Sequence, residues 1–279
     1  MEIDHSPRRL LSKKKQKMKL VKKILLYEIH NTIRSKWVIL YTFFFFLVGY
    51  GLFTFSGDVN KAYISLMNII IIVIPLVSII FGSIYFYNSR EFIEMMLSQP
   101  IDRKSLFLGI YLGTAIPLSA GFALGFSVPF ILFGKVTEQM DGFILLLLIG
   151  VLLTFIFIAL SFLISVKQDD KSKGLGLAIL IWLVLAVVYD GFVLLIIYNF
   201  QDYPLENAMI ILSALNPIDL GRILFLMKFD IAALMGYTGA VFQRFFGSSL
   251  GMIISVICLL IWIIVPFLLS RRFFKKKDF

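Results

Sequence analysis

Six long apolar stretches constrain this chain more than any motif in it: Trp37 to Phe55, Ala62 to Phe86, Leu106 to Phe133, Phe143 to Val166, Gly174 to Phe200, and Ser249 to Leu269. Each approaches or exceeds the roughly 20 residues that an α-helix needs to cross a ~30 Å hydrocarbon core. Soluble core helices seldom reach that length, and a transmembrane barrel would show alternating segments of about ten residues, which this chain lacks. A mean hydropathy of +0.92 with only 16% charged residues fits the same class. The expected fold is all-α, a polytopic membrane protein of six transmembrane helices.

Orientation follows from the cations. Twenty-two of the 27 Lys and Arg residues fall in the segment up to Lys36, in the loops Tyr87 to Ser105 and Lys167 to Lys173, and in the tail from Ser270. The opposite side holds Lys61, Lys135, Arg222, Lys228 and Arg244. The positive-inside bias places both termini in the cytoplasm, in the inner (plasma) membrane of a cell. A net charge of +10 then needs no nucleic-acid partner, because basic residues flanking spans meet anionic lipid headgroups. The first apolar run follows a long basic leader without a small-residue cleavage pattern, so no cleavable signal peptide is expected. The lone cysteine, Cys258, lies inside the last span and reads as a small packing residue.

Residues 1–17 read as a basic, disordered leader, or as sequence upstream of an alternative start at Met18; residues 18–279 form the transmembrane domain. From Lys19 to Lys36 the pattern turns amphipathic. Lys19, Lys23, His30 and Arg34 share one face, and Val21, Ile24, Leu25 and Ile29 the other, as in a helix lying along the interface. His30 is read as a plain member of the polar face, and His5 sits in the leader.

The outer connections at Ser56 to Lys61 and Gly134 to Gly142 are short. The third, from Gln201 to Ser248, is too long for a turn and too apolar for a solvated linker. Within it Asn216 and Pro217 read as the N-cap and first position of a helix, with Asp219 in its first turn. Two short amphipathic helices, before and after about Lys228 to Asp230, would make a platform on the outer surface. On the inner side, Lys167 to Lys173 reads as a solvated connection. The loop Tyr87 to Ser105 is richer. Arg90, Glu91 and Glu94 precede Met95, Met96 and Leu97, then Pro100 stops a helix before Asp102, Arg103 and Lys104. A short helix with an apolar tip would suit docking to a soluble protein, and an ordinary interfacial connection would look much the same.

The sequence lacks a Walker A pattern, HExxH and GxSxG, and its few His and Cys residues do not make a typical transition-metal cage. No catalytic residue, cofactor or metal is assigned. Asp190, in VVYDG of the fifth span, is the one carboxylate deep in an apolar run, ten residues before Phe200 and so roughly 15 Å in. Such a group is costly unless it meets a polar cavity, a partner or a proton. Asn68, in the second span, is its expected hydrogen-bonding neighbour. The role is either a polar point in a conduit or latch, or an interhelical hydrogen bond. Met209, Met227 and Met235 could be soft Cu(I) ligands, but without MxxM or CxxC spacing they read as packing. Pro117 and Pro129, with Gly113, Gly121 and Gly125, point to kinks and close helix contacts in the third span.

Six spans, an amphipathic lead-in helix and the run REFIEMMLSQPIDRKSLFLG together resemble the type-2 ABC transporter permeases. In that family this loop is the coupling helix resting on the ATPase subunit, and the matching positions are Arg90, Glu91, Glu94, Leu97, Ser98, Pro100, Arg103 and Gly109. The family often has Lys after the last Gly, where this chain has Ile110. A narrower stretch, Ala214 to Gly247, resembles the NosY-type permeases of nitrous oxide reductase maturation. Asn216, Pro217, Asp219 and Arg222 match an NPxDxxR-like run, and Gly236, Tyr237, Thr238 and Gly239 a GYTG-like run. The resemblance implies a homodimer driven by two cytoplasmic ABC ATPase subunits, with a periplasmic copper-handling β-helical protein on the outer platform. It leaves the cargo open, including whether there is one. The alternatives are a generic exporter of lipid, drug or peptide, and a non-transporting membrane scaffold.

Overall fold

The computed structural model describes residues 23–56, 59–99, 101–133, 140–200, 206–228 and 249–277. All regular structure among them is helical. A lead-in helix α1 covers 23–33, and six helices long and apolar enough to cross a membrane follow. These are α2 (Lys36–Phe55), α3 (Val59–Asn88), α5 (Arg103–Phe133), α6 (Met140–Lys167), a fifth span made of α7 (Lys171–Leu183) and α8 (Tyr189–Asn199), and α11 (Ser249–Lys276). The short α4 (Arg90–Leu97) joins spans two and three, while α9 (Glu206–Ala214) and α10 (Pro217–Lys228) lie between spans five and six. The leader, the first residues of the amphipathic segment, Gly57, Asp58, Pro100, Lys135 and the stretch holding Met235, Gly236, Tyr237, Thr238, Gly239 and Arg244 lie outside the described residues.

The fourth span, α6, is the axis. Of its most apolar stretch 61% is buried inside the chain, against none of the fifth span. It packs on α3, α5 and α11, with α2 laid against α5 and α7 against α3. In hydrocarbon there is no hydrophobic drive between helices, so close approach and small residues must bring them together. At the α3–α6 crossing Gly82 faces Ser161 and Phe86 meets Phe162 at 5.2 Å between centroids, while between α5 and α6 Phe130 stacks on Phe143 at 4.2 Å. The α2–α5 contact uses Gly121 and Gly125, one turn apart. A Cβ on Gly121 would meet Thr42 Oγ1 at 2.7 Å, and one on Gly125 would press into the Thr42 carbonyl.

α1 shows how the same logic seats a polar stripe. Ile24, Glu28 and Thr32, four apart, are its buried residues, while Lys23, His30 and Arg34 are exposed. Gly109 and Gly113 of α5 form the notch that takes Ile24 and Glu28. The Tyr85 hydroxyl donates to the Glu28 carboxylate. Burial pushes the Glu28 carboxyl above its ordinary range, and the Tyr85 hydrogen bond partly offsets it.

Because the neighbour of Gly125 is backbone, it cannot swing aside. Gly125→Leu is expected to cost about 1–3 kcal/mol by overpacking, lowering the thermal midpoint of the detergent-purified protein by about 3–10 °C. Gly51→Leu, where nothing lies within 4 Å, is expected to leave it unchanged.

Candidate functional site

Two regions concentrate the polar chemistry, one at the basic end of the bundle and one at its middle. At the basic end α4 is held by its inner face. Ile93 is fully buried, Phe92 stacks on Tyr27 of α1 at 5.5 Å, and the Ser89 hydroxyl donates to the Tyr85 carbonyl. Arg90 does not face outward. It donates to the Gln168 carbonyl (2.9 Å), lies over the Tyr87 ring (4.9 Å) and pairs with Asp169 (3.5 Å).

The connection between spans four and five is therefore more than a solvated linker. Asp169 also takes Lys277 Nζ at 2.6 Å, and that hydrogen bond holds its carboxyl below the ordinary range. Asp170 caps α7 by accepting from the Ser172 and Lys173 amides, which lower its carboxyl too. Arg103 closes the clasp by donating to the Lys275 and Lys277 carbonyls at the end of α11. Glu91, Glu94 and Met95 are left exposed, Leu97 half-buried.

The second region lies between spans five and six, and it differs from the expected surface platform. Asn216 is fully buried and Asp219 is 8% exposed. Three contacts fix the depth of the turn between α9 and α10. Asn216 Nδ2 donates to the Leu185 carbonyl (2.8 Å), Trp262 Nε1 donates to the Ala214 carbonyl (3.1 Å), and Gly221 abuts Ile149. Leu185 and Trp262 are mid-span residues, and Ile149 is well inside its own span. The pair is a re-entrant hairpin whose tip reaches the middle of the bundle.

A π-helical turn over Val184–Val188 explains the first contact. There the Tyr189 amide bonds the Val184 carbonyl, five residues back, instead of Leu185. The Leu185 carbonyl, orphaned by the shift, is the one that Asn216 takes. Asn216 works from both ends of its amide, because Oδ1 caps α10 by accepting from the Ile218 amide (3.1 Å). Tyr189 adds a hydrogen bond to the Leu212 carbonyl at the end of α9 (2.6 Å).

Around this tip the charges converge. Arg222 Nη1 bridges Asp190 (2.8 Å) and Asp219 (3.1 Å), and Asn216 Nδ2 reaches the other oxygen of Asp219 (3.1 Å). One guanidinium thus faces two carboxyls, of which Asp219 is the more enclosed. The expectation that Asn68 partners Asp190 is corrected: Asn68 is exposed on α3, and Asp190 is taken by Arg222. Among the described residues no group of three or more His, Cys, Asp or Glu could hold a metal.

Residues 54–279 match the family model described as ABC-2 family transporter protein. The chain belongs to the ABC-2 transporter family. It is similar to a protein named probable ABC transporter permease protein NosY from Pseudomonas aeruginosa, 25% identical over 226 residues, covering 75% of this chain and 82% of that one. It is also similar to a protein of the same name from Stutzerimonas stutzeri, 23% identical over 269 residues, covering 90% and 96%. An ABC-2 permease is the membrane subunit of an ABC transporter, and this chain is one.

Within that subunit Arg90 and Arg103 bind other parts of the same chain, whereas Glu91 and Glu94 are free to face outward. Sequence reading missed Tyr189, Trp262 and the π turn. Tyr and Trp in apolar runs are too common to single out, and a π turn leaves no signature in composition.

The charge geometry orders three substitutions. Asp219→Asn keeps the hydrogen-bonding shape and leaves Arg222 its closer anion, Asp190, so it should change stability least, by up to about 1 kcal/mol. Asp190→Asn deprives Arg222 of its closest anion and should cost about 1–2 kcal/mol, between the values for exposed and buried pairs. Arg222→Met leaves two carboxyls facing each other and should cost most, about 2–4 kcal/mol. Equilibrium unfolding in mixed micelles checks the order.

Proposed function

We propose that this permease couples ATP hydrolysis by separate cytoplasmic ATPase subunits, docked at α4, to work at the far side of the membrane. The observation that carries this reading is the two-faced α4. Its inner side is fixed by Ile93, Phe92 and Arg90, and its outer side presents Glu91, Glu94 and Met95 to solvent. A docked subunit pushing on such a helix moves the clasp with it. Positive-inside bias supports a cytoplasmic basic end in the inner membrane. The fifth span, unburied along its apolar stretch, supports a second copy of the chain beside it, making a homodimer.

The similarity to NosY-named permeases supports a role in copper-enzyme maturation, that of nitrous oxide reductase, through transport or through conformational work on a periplasmic partner. Asn216, Asp219 and Arg222 bond within the bundle, which does not support these three as the contacts for that partner.

The test uses the permease co-expressed with its ATPase subunit. Glu91→Lys with Glu94→Lys is expected to cut permease-stimulated ATP hydrolysis roughly ten-fold, as loss of about 1.4 kcal/mol of docking energy would. Both residues are exposed, so the purified permease should keep its thermal midpoint. Unchanged stimulation contradicts docking at α4. Normal nitrous oxide reductase maturation in cells lacking this chain would contradict the copper-enzyme role and leave the generic exporter standing.

A further inference from the structure

A cleft of about 920 Å³ opens between α2 and α3 and is zoned along its length. At the basic end its walls are polar: Asn31, Arg34 and Ser35 from the α1–α2 corner face Asn88 and Ser89 from the α3–α4 corner. Deeper in they are apolar, with Leu40 and Phe44 on one side, Val73, Leu76, Val77, Ile80 and Phe81 on the other, and Leu118 among them. Trp37 stands at the mouth, 70% exposed, at the level where aromatic belts sit.

Length and charge identify what fits. From Ser89 to Val73 the cleft follows α3 for roughly 24 Å at 1.5 Å per residue, ending near the middle of the span. That is about half of a 40–45 Å bilayer, one leaflet including its headgroup layer. A soluble cargo or a crossing helix has no reason to stop at the midplane, whereas a lipid of that leaflet must. The polar end is cationic. Arg34 has no ion-pair partner among the described residues, and Lys171 reaches the same rim, its Nζ donating to Asn88 Oδ1 at 3.0 Å. The nearby acids point elsewhere: Glu28 is buried against Tyr85, and Asp170 is occupied capping α7.

We propose that this cleft is a binding site for an anionic phospholipid of the leaflet at the basic end. The phosphate sits between Arg34 and Lys171, and an acyl chain lies along Phe44, Val77 and Phe81. The site is separate from α4 docking and from any cargo. A lipid there wedges α2 from α3 at the corner where α1 meets the first span, so its headgroup fixes the angle at which the lead-in helix leaves the bundle. Basic pockets between spans on the cytoplasmic side bind anionic headgroups.

Native mass spectrometry of the full chain in detergent, titrated with phosphatidylglycerol or phosphatidylcholine, tests it. One phosphatidylglycerol per chain should be held roughly ten-fold more tightly than phosphatidylcholine. Arg34→Glu, at an exposed position that leaves folding intact, should erase that preference. Val77→Trp, which fills the cleft, should remove both lipids, provided the variant remains monodisperse. Equal retention of the two lipids, or full preference in Arg34→Glu, overturns the proposal. So does efficient cross-linking between two chains of a Leu76→Cys, Cys258→Ser variant in native membranes, because a second copy then covers the cleft.

Discussion

Inside a bilayer every backbone N–H and C=O must find its partner within the protein, and the most demanding place in this fold is the buried turn between α9 and α10. Helix ends expose several such groups, and here two meet at mid-depth. The bundle satisfies them one by one: Tyr189 takes the Leu212 carbonyl, Trp262 takes that of Ala214, and Asn216 caps α10. In exchange Asn216 satisfies the Leu185 carbonyl that the π turn leaves free. The hairpin and the irregular fifth span are therefore one unit, since each supplies the groups the other lacks.

The fifth span then has a particular mechanical position. Its first residues follow directly on Gln168, Asp169 and Asp170, and Arg90 of α4 grips the first two. Its middle holds the hairpin through Leu185, Tyr189 and Asp190. A shift of α4 reaches Leu185 along a single stretch of chain. Arg222 adds an electrostatic tie that depends on one cation balancing two carboxyls, a balance that water or a proton entering the site would change. The axis helix α6 contributes stiffness, being the most enclosed span.

Most of the architecture was legible because hydropathy and length dictate it. The first five spans fall within three residues of the apolar runs and the sixth continues seven residues past its run, to Lys276, while Gly121 and Gly125 make the close contacts their spacing in the third span implied. Asn216 and Pro217 start a helix as their chemistry requires. Local chemistry does not carry depth. An NPxD start looks the same on a surface and in a bundle, so in place of the expected outer platform Asp219 and Arg222 form a half-buried bridge with Asp190. The clasp at the basic end was hidden for a similar reason. Arg90 and Asp169 are far apart in sequence, and only the packing of α3 against α6 and α7 brings them together. Glu28 was hidden because an acid on an amphipathic helix is ordinarily solvated, and here the Gly109 and Gly113 notch buries it.

Photo-cross-linking from α4 tests the central claim, that this helix is the seat of the ATPase subunit, most directly. A Met95→Cys, Cys258→Ser variant is labelled with a cysteine-reactive benzophenone in membranes containing the ATPase subunit, then illuminated. Tyr198→Cys at the other end of the fifth span serves as the control. The expected result is a covalent adduct between the permease and the ATPase from position 95 and none from position 198. Absence of the adduct at 95, with the ATPase still co-purifying, would show that the subunit binds elsewhere and would contradict the account.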